Sequence, residues 1–171
     1  KSIYYKSKDT LPSEYSNSDD AKGFMHGSNE TDTVLENGNK FHIDFVHGQK
    51  TGFFIDQREN RNLLTKYSEG KTILNTFCYS GGFSVYALQS GAKLVESLDS
   101  SKKAIEMASK NVKLNFPNAK NHKVITEDAM QYIRETSNNY DLIILDPPAF
   151  AKHNNVRHNA VQGYKRLNAE A

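Results

Sequence analysis

The chain has 171 residues, and 22 lysines and arginines against 20 aspartates and glutamates leave a formal net charge of +2. This near-balance excludes a histone-like polycation, so any contact with nucleic acid must come from a local basic patch. The single cysteine, Cys78, excludes an internal disulfide and a cysteine-based metal site, and no apolar run approaches the roughly 18 residues that cross a bilayer. These features favour a cytoplasmic protein with one domain and a small appendage.

Residues 1–48 are predicted to form a small β domain in front of a larger part, residues 49–171. The first 32 residues are polar and show little periodicity. Further on, Asn37-Gly38 lies between two alternating segments and is typical of a tight hairpin turn. The strands predicted in this domain are Ile3–Tyr5, Thr33–Glu36 and Lys40–Phe45.

From residue 49 onwards, apolar strands alternate with amphipathic helices, which predicts an α/β fold with a parallel sheet covered on both faces. A first helix is expected to begin at Asp56, three residues before Glu59 as in a capping box, and to run up to Gly70. The predicted strands are Thr72–Phe77, Leu94–Leu98, Lys123–Thr126 and Leu142–Leu145. The other predicted helices are Phe83–Ser90, Ser101–Asn115, Ala129–Glu135 and Ala160–Ala171.

Ligands of such a sheet bind beyond the carboxyl ends of its strands, so the residues that follow each strand are the candidate site. The second strand ends at Asp99, an acidic side chain suited to ribose hydroxyls, and the third at Asp128, suited to an exocyclic amine such as adenine N6. Glycines after the first strand let a ligand approach the backbone, and the next helix offers free N–H groups. The segments after the first and fourth strands are Phe77-Cys78-Tyr79-Ser80-Gly81-Gly82-Phe83 and Asp146-Pro147-Pro148-Ala149-Phe150.

Each feature alone is more often a turn or a helix cap, but four of them at consecutive strand ends indicate a ligand that contains adenosine. The glycine loop lacks the G-x-G-x-x-G pattern that seats a pyrophosphate, and no Walker-type loop is present. S-adenosylmethionine, which carries no phosphate, therefore fits better than a nicotinamide dinucleotide. The oxidoreductase alternative stays open because Asp99 would serve either ribose.

Three segments resemble the class I S-adenosylmethionine-dependent methyltransferases of the bacterial 23S rRNA large-subunit group, above all those that form 5-methylcytosine. The resemblance covers about Val34 to Lys152 and implies a Rossmann-like sheet of which this chain supplies the first four strands, preceded by the small β appendage. It also implies S-adenosylmethionine as cofactor and 23S rRNA as substrate. The segments are Lys50-Thr51-Gly52-Phe53-Phe54-Ile55-Asp56-Gln57-Arg58 with Asn60-Arg61, then Leu74–Ser84, then Asp141–Phe150.

The target base remains open between cytosine C5 and guanine N7, because relatives in the same group methylate guanine. A non-catalytic RNA-binding module that retains the fold is a further alternative. Binding of S-adenosylhomocysteine separates the enzyme from the module.

The resemblance also implies roles for individual residues. The loop from Phe77 to Phe83 would wrap the methionine part of the cofactor, Asp99 would bind the ribose, and Asp128 with Ala129 would bind the adenine. The residues implied next to the transferred methyl group and the target base are Asp146, Pro147, Pro148 and Phe150, of which Asp146 also borders the cofactor. The residues implied on the substrate side are Lys50, Asp56, Arg58, Arg61 and Lys152.

Two of these assignments have structural alternatives. Phe150 either stacks on a flipped-out base or packs against the protein. Arg58 and Arg61, three residues apart on one helix, either meet RNA phosphate or pair with neighbouring carboxylates.

Methylation of cytosine C5 usually requires a cysteine thiolate that adds to C6 of the base. Cys78 is expected to pack beneath the cofactor loop, and the resembled family takes its nucleophile from a later motif. We therefore expect an internal fragment of a longer enzyme, able to bind the cofactor without turnover.

The most basic stretch, from Lys152 to His158, follows the Asp-Pro-Pro motif and either contacts RNA phosphate or forms a solvated loop. Its two histidines, His153 and His158, are five residues apart, a spacing that suits a shared ion in neither a helix nor a strand. The sequence therefore predicts no metal site.

Overall fold

The computed structural model describes residues 1–6, 22–150 and 157–171. Their strands are β1 (Ile3–Lys6), β2 (Lys22–His26), β3 (Thr31–Glu36), β4 (Asn39–Asp44), β5 (Thr72–Thr76), β6 (Leu94–Asp99), β7 (His122–Thr126) and β8 (Leu142–Leu145). Their α-helices are α1 (Arg58–Leu64), α2 (Gly82–Gln89), α3 (Lys102–Asn115), α4 (Ala129–Glu135) and α5 (Arg157–Glu170). A short 3-10 turn, Ile55–Gln57, precedes α1.

Four parallel strands form the main sheet, in the order β7-β6-β5-β8. Ile73 of β5 lies opposite Val95 of β6 on one side and Leu142 of β8 on the other. The chain adds β6 and β7 on one side of β5 and then crosses to add β8 on the other, so a topological switch point lies between β5 and β8. The predicted α/β fold with a parallel sheet is confirmed.

The predicted strands of this sheet agree with the observed ones to within one residue at each end. Strand β5 stops at Thr76 because Phe77 takes a left-handed backbone conformation, with φ of +51°. Helix α3 begins after Ser101, whose Oγ accepts a hydrogen bond from the Ala104 N–H at 3.3 Å. The cap at Ser101 is thus a local side-chain signal for the start of α3, whereas the backbone of Phe77 ends β5 one residue before the predicted end.

The predicted start and end of the first helix are wrong. Helix α1 begins at Arg58 without a side-chain cap, and Asp56 lies in the preceding 3-10 turn. Ahead of the 3-10 turn, the ring of Phe53 packs on Phe41 with 4.8 Å between centroids. The helix ends at Leu64 because the next predicted apolar residue, Tyr67, is exposed and gives a further turn nothing to bury.

The structure adds one strand that the sequence pattern did not predict. Strand β2 pairs antiparallel with β1, placing Tyr4 opposite Phe24. Its sequence, K-G-F-M-H, lacks the alternation that marks a half-buried strand, so only the distant pairing reveals it. The predicted hairpin is confirmed as β3–β4, with left-handed Asn37 and Gly38 at its turn.

The hairpin β3–β4 shares a hydrophobic core with the main sheet. Phe41 of β4 is fully buried in a cluster that includes Ile73 of β5 and Tyr86 of α2. The opposite face of the sheet packs Leu74 and Leu98 against α4 and α5. The domain boundary after residue 48 stays a prediction, but β4 contributes directly to the core beneath the candidate site.

A chain of polar side chains crosses the interior on the α2 side of the sheet. Asn75 Nδ2 donates to Ser84 Oγ at 2.8 Å, and Ser84 Oγ lies 2.7 Å from Ser97 Oγ. Ser97 Oγ in turn lies 2.8 Å from His122 Nε2. Burial lowers the pKa of His122 to about 4, so the imidazole is neutral in the folded protein at neutral pH.

Among the described residues, no helix combines the length and apolarity needed to cross a membrane.

His122 should make the stability of the fold depend on pH. In the unfolded chain its pKa is about 6.5, so as the pH falls the unfolded state takes up a proton before the folded state does. The free energy of unfolding should therefore fall as the pH drops below about 6.5 and lose no more on this account below about pH 4. Urea unfolding across this range should show a steeper loss for the native chain than for His122→Gln, and equal losses would contradict the assignment.

Candidate active site

The loop between β5 and α2 has an unusual backbone. Phe77, Tyr79 and Gly81 all take left-handed conformations, with φ of +51°, +44° and +73°. A β-carbon on Gly81 would lie 2.9 Å from the Cα of Ala108 in α3, so only glycine fits both the conformation and the space. Backbone bonds hold the rest of the turn, including Gly81 N–H to the Cys78 carbonyl at 2.7 Å.

Asp99, at the end of β6, is bonded directly to this loop. One carboxylate oxygen accepts from the Tyr79 N–H at 3.1 Å, and the other accepts from the Ser101 N–H at 2.9 Å. Each carboxylate oxygen has a second acceptor site, so Asp99 can hold the loop and still accept hydrogen bonds from a ligand. The structure thus places two of the predicted cofactor-binding features together.

Cys78 belongs to this loop, and its side chain points inward and packs with Ile105 and Ala108 of α3, so that only 6% of the residue is exposed. Burial, together with the charge of Asp99, raises the pKa of its thiol well above the usual range. A thiol in this environment stays protonated, so it is a poor nucleophile. The expectation that Cys78 packs beneath the loop is confirmed.

Asp128 and Ala129 lie after β7 and have structural roles of their own. Asp128 Oδ1 accepts from the Gln131 N–H at 3.0 Å and so caps α4. The Ala129 side chain is buried in the core beside Leu98, so only its backbone can meet a ligand. Contact of either residue with adenine remains a prediction.

Asp146, after β8, is held by a residue that the sequence analysis did not assign. The Nε2 of Gln57 donates to its Oδ1 at 3.2 Å, and the Oε1 of Gln57 accepts from Asn60 at 2.7 Å. This contact joins the segment from Lys50 to Arg61 to the segment from Asp141 to Phe150, two of the three that carry the family resemblance. Gln57 lies in Asp56-Gln57-Arg58, part of the first segment that carries the family resemblance, and this was the only sign in the sequence of a role for Gln57.

The charges around Asp146 shift the pKa of its carboxyl group in opposite directions. Burial and the negative charge of Asp56 raise the pKa of its carboxyl group, while the positive charges of Arg61 and Lys50 lower it in part. Lys50 has its Nζ 4.8 Å from the centre of the Phe54 ring. Lys50 and Asp56 therefore influence the Asp146 carboxyl group, and their place on the substrate side stays a prediction.

For Arg61 the alternative of pairing with a carboxylate is realised, and burial removes it from the exposed substrate side where the resemblance placed it. Its side chain is 3% exposed and pairs with Glu36 through two hydrogen bonds, of 2.8 and 2.7 Å. A third bond, of 3.0 Å, joins it to the Phe54 carbonyl. Arg58, by contrast, is exposed and pairs with Glu59 at 3.0 Å, so the two arginines do not share one surface.

The residues that follow Asp146 lead to α5. Pro147 is half-buried and Pro148 exposed, while the Phe150 ring lies 4.6 Å from that of Tyr164. The packing alternative for Phe150 is therefore realised, and 38% of the residue remains exposed. Lys152 and His153 lie outside the described residues.

A cavity of about 380 Å³ lies between the hairpin and α1, apart from the strand ends. None of the loop residues Phe77–Phe83 lines it, so it is separate from the predicted cofactor site. The lining residues are Val34, Leu35, Glu36, Asn37, Ile43, Thr51, Phe53, Ile55 and Arg58. Within the described ranges, no group of three or more histidine, cysteine, aspartate or glutamate side chains is arranged to hold a metal ion.

Comparison with known families decides the class of this protein. The family described as S-adenosylmethionine-dependent methyltransferase matches residues 9–170. The chain belongs to this family. Membership in the methyltransferase family assigns S-adenosylmethionine as the cofactor and excludes the nicotinamide alternative.

Two named relatives and one solved structure illustrate the similarity. Ribosomal RNA large subunit methyltransferase I of Aeromonas hydrophila is 42% identical over 152 residues, which cover 85% of this chain and 38% of that protein. Ribosomal RNA large subunit methyltransferase of Deinococcus radiodurans is 40% identical over 148 residues, covering 84% and 36%. SMU.776, a candidate methyltransferase solved in complex with SAH, superposes with a TM-score of 0.70 at 31% identity, covering 86% and 42%. The chain thus spans about two fifths of the length of these proteins.

The residues present fit this cofactor. The left-handed loop, the Asp99 carboxylate and the first turn of α2 meet at the carboxyl ends of β5 and β6. Helix α2 has Gly81 at its N-cap and no side-chain cap, so no side chain occupies its first N–H groups. These N–H groups at the start of α2 suit an anionic group such as the carboxylate of the methionine part of the cofactor.

Replacement of Asp99 by asparagine should weaken binding of S-adenosylhomocysteine by about tenfold to a hundredfold, because it removes the charge that strengthens a hydrogen bond to the ribose, worth about 1.5–3 kcal/mol. The change also turns one of the two oxygens that accept from the Tyr79 and Ser101 N–H groups into a donor. Calorimetric titration of the two chains measures this change. Asp141→Asn is the matched control, because Asp141 also accepts a hydrogen bond from a backbone N–H, that of Thr72 at 2.8 Å, but at the amino ends of the strands, away from the candidate site. Equal loss of affinity in both variants would contradict a specific role for Asp99.

Proposed function

We propose that this protein transfers a methyl group from S-adenosylmethionine to cytosine C5 of 23S rRNA. The observation that supports the cofactor part of the proposal is the bond from the Tyr79 N–H to Asp99, which joins the cofactor loop to the acidic end of β6. The named relatives, which are large-subunit ribosomal RNA methyltransferases, support the same substrate class. With such a substrate, the enzyme would work in the cytoplasm.

On the cofactor side, each predicted residue has a distinct task. The loop Phe77–Phe83 would wrap the methionine part, Asp99 would accept hydrogen bonds from the ribose, and Asp128 with the Ala129 backbone would border the adenine. When bound, S-adenosylmethionine supplies an electrophilic methyl group on a positively charged sulfur. The fixed backbone of the loop would hold the ligand without first having to order itself.

On the substrate side, Asp146 would lie next to the transferred methyl group and the target base. Gln57 donates a hydrogen bond to its carboxylate, and the charges of Asp56 and Lys50 shift its pKa in opposite directions. Pro147 and Pro148 would hold the backbone rigid next to the target base. The exposed part of Phe150 would stack on a flipped-out base, and Lys152 would meet RNA phosphate.

Methylation at cytosine C5 needs a thiolate, and Cys78 does not provide one. The only cysteine of the chain is buried, and its pKa is raised. The nucleophile of the proposed reaction would therefore be a residue outside these 171.

Methylation of guanine N7 is the second candidate. The observation that favours it is the same buried Cys78, because a ring nitrogen attacks a methyl group directly and requires no cysteine. Location of the methyl group in treated rRNA would distinguish the two.

The native chain should bind S-adenosylhomocysteine and ignore NADH in calorimetric titrations, because the loop has no pyrophosphate site. A circular dichroism melting curve recorded on the same sample shows that the chain is folded. A cooperatively folded chain that binds NADH, or that binds neither ligand, would contradict the cofactor assignment.

Cys78→Ser should leave methyl transfer largely intact in a longer protein that contains this chain, because a buried protonated thiol takes no part in the reaction. Incorporation of a labelled methyl group from S-adenosylmethionine into 23S rRNA measures the effect. Complete loss of transfer, with binding of S-adenosylhomocysteine unchanged, would identify Cys78 as the nucleophile.

A further inference from the structure

Asn111 of α3 is a fully buried polar residue on an otherwise apolar helix face. Its neighbours on that face, Ala108 and Val112, belong to the hydrophobic core. Its Oδ1 accepts from the His42 N–H of the hairpin at 2.7 Å, and its Nδ2 donates to the Ser80 carbonyl of the cofactor loop at 2.8 Å. One side-chain amide thus links two elements that meet at the site.

The Ser80 carbonyl is difficult to satisfy in any other way. Ser80 is 5% exposed and lies between two left-handed residues, Tyr79 and Gly81, so the backbone there follows no regular hydrogen-bonding pattern. A buried carbonyl without a partner is costly. The bond from Asn111 therefore favours this shape of the loop over alternatives that expose the carbonyl to water.

The same helix contains a natural comparison one turn later. Asn115 bonds the hairpin through both atoms of its amide, accepting from the Lys40 N–H and donating to the Lys40 carbonyl, each at 2.8 Å. Its Nδ2 also lies 2.8 Å from the Asn111 carbonyl. Asn115 thus anchors the same hairpin to the same helix, but its hydrogen bonds do not reach the cofactor loop.

We propose that Asn111 is a positioning residue for the cofactor loop. Its donation to the Ser80 carbonyl holds the loop in the shape that binds the cofactor, and its acceptance from His42 makes the hairpin part of that support. Asn115 only attaches the hairpin. The proposal rests on the proposed function in one respect, that the loop is where S-adenosylmethionine binds.

Asn111→Asp tests the donation, because aspartate keeps the acceptor for His42, loses the donor to Ser80 and places a carboxylate oxygen against the Ser80 carbonyl. Asn115→Asp makes the same chemical change four residues away and is the matched control. Two readouts are taken on the whole chain. The first is the rate at which a thiol reagent such as DTNB labels Cys78 under native conditions, and the second is the affinity for S-adenosylhomocysteine.

The thiol readout needs no cofactor. Cys78 is the only cysteine and its side chain lies under the loop, so its labelling rate follows the fraction of time that the loop is open. We expect Asn111→Asp to label about ten- to a hundredfold faster than the native chain, as loss of one buried hydrogen bond allows, and to bind S-adenosylhomocysteine more weakly by a similar factor. Asn115→Asp should change the labelling rate of Cys78 and the affinity for S-adenosylhomocysteine only as far as its loss of overall stability, measured by the thermal midpoint, accounts for.

Labelling of Asn111→Asp at the native rate would overturn the proposal, as would equal acceleration in both variants at equal thermal midpoints. If the native chain fails to bind S-adenosylhomocysteine, the proposed function fails, while the labelling rates still decide whether Asn111 holds the loop. If Asn111→Asp does not fold, Asn111→Leu takes its place, since it removes both bonds without burying a charge. Native labelling rates in that variant would also overturn the proposal.

Discussion

The site depends on a loop whose backbone would not hold its shape alone. Phe77 and Tyr79 carry β-carbons and still adopt left-handed conformations, each at a cost of about 1–3 kcal/mol. Such strain persists only where the surroundings impose it. Here Asp99 holds the Tyr79 N–H, and the Cα of Ala108 leaves room only for glycine at position 81. The sheet and α3 thus stabilise the shape of this loop.

The hairpin contributes to the same site from the other side. Its Glu36 forms a buried ion pair with Arg61, and removal of one partner from such a pair typically costs about 3–5 kcal/mol. Arg61 also lies against the start of α2, where a β-carbon on Gly82 would come within 2.9 Å of its Cδ. Its charge further acts on Asp146. The front part of the chain is therefore a structural component of the site and not only an attachment.

The sequence predicted what local patterns encode. The alternation of apolar strands and helices was sufficient for the parallel sheet, and the residues after each strand indicated the loop and Asp99. Pairings between distant segments left no such signal: β2, the burial of Arg61 by Glu36 and the contact of Gln57 with Asp146 all depend on tertiary packing. Asn111 and Asn115 did leave a signal in the sequence, because two asparagines at i and i+4 interrupt an apolar helix face. Their hydrogen-bond partners, however, are known only from the fold.

The central claim is that the phosphate-free adenosine ligand of this methyltransferase binds where the loop meets the end of β6. Hydrogen–deuterium exchange of the chain with and without S-adenosylhomocysteine tests it most directly, because it locates the ligand as well as detecting it. We expect slower exchange in peptides that cover residues 77–83 and 99–101, with no change in β1 and β2. Protection confined to the cavity between the hairpin and α1, or no protection of the loop in a chain that binds the ligand, would contradict it.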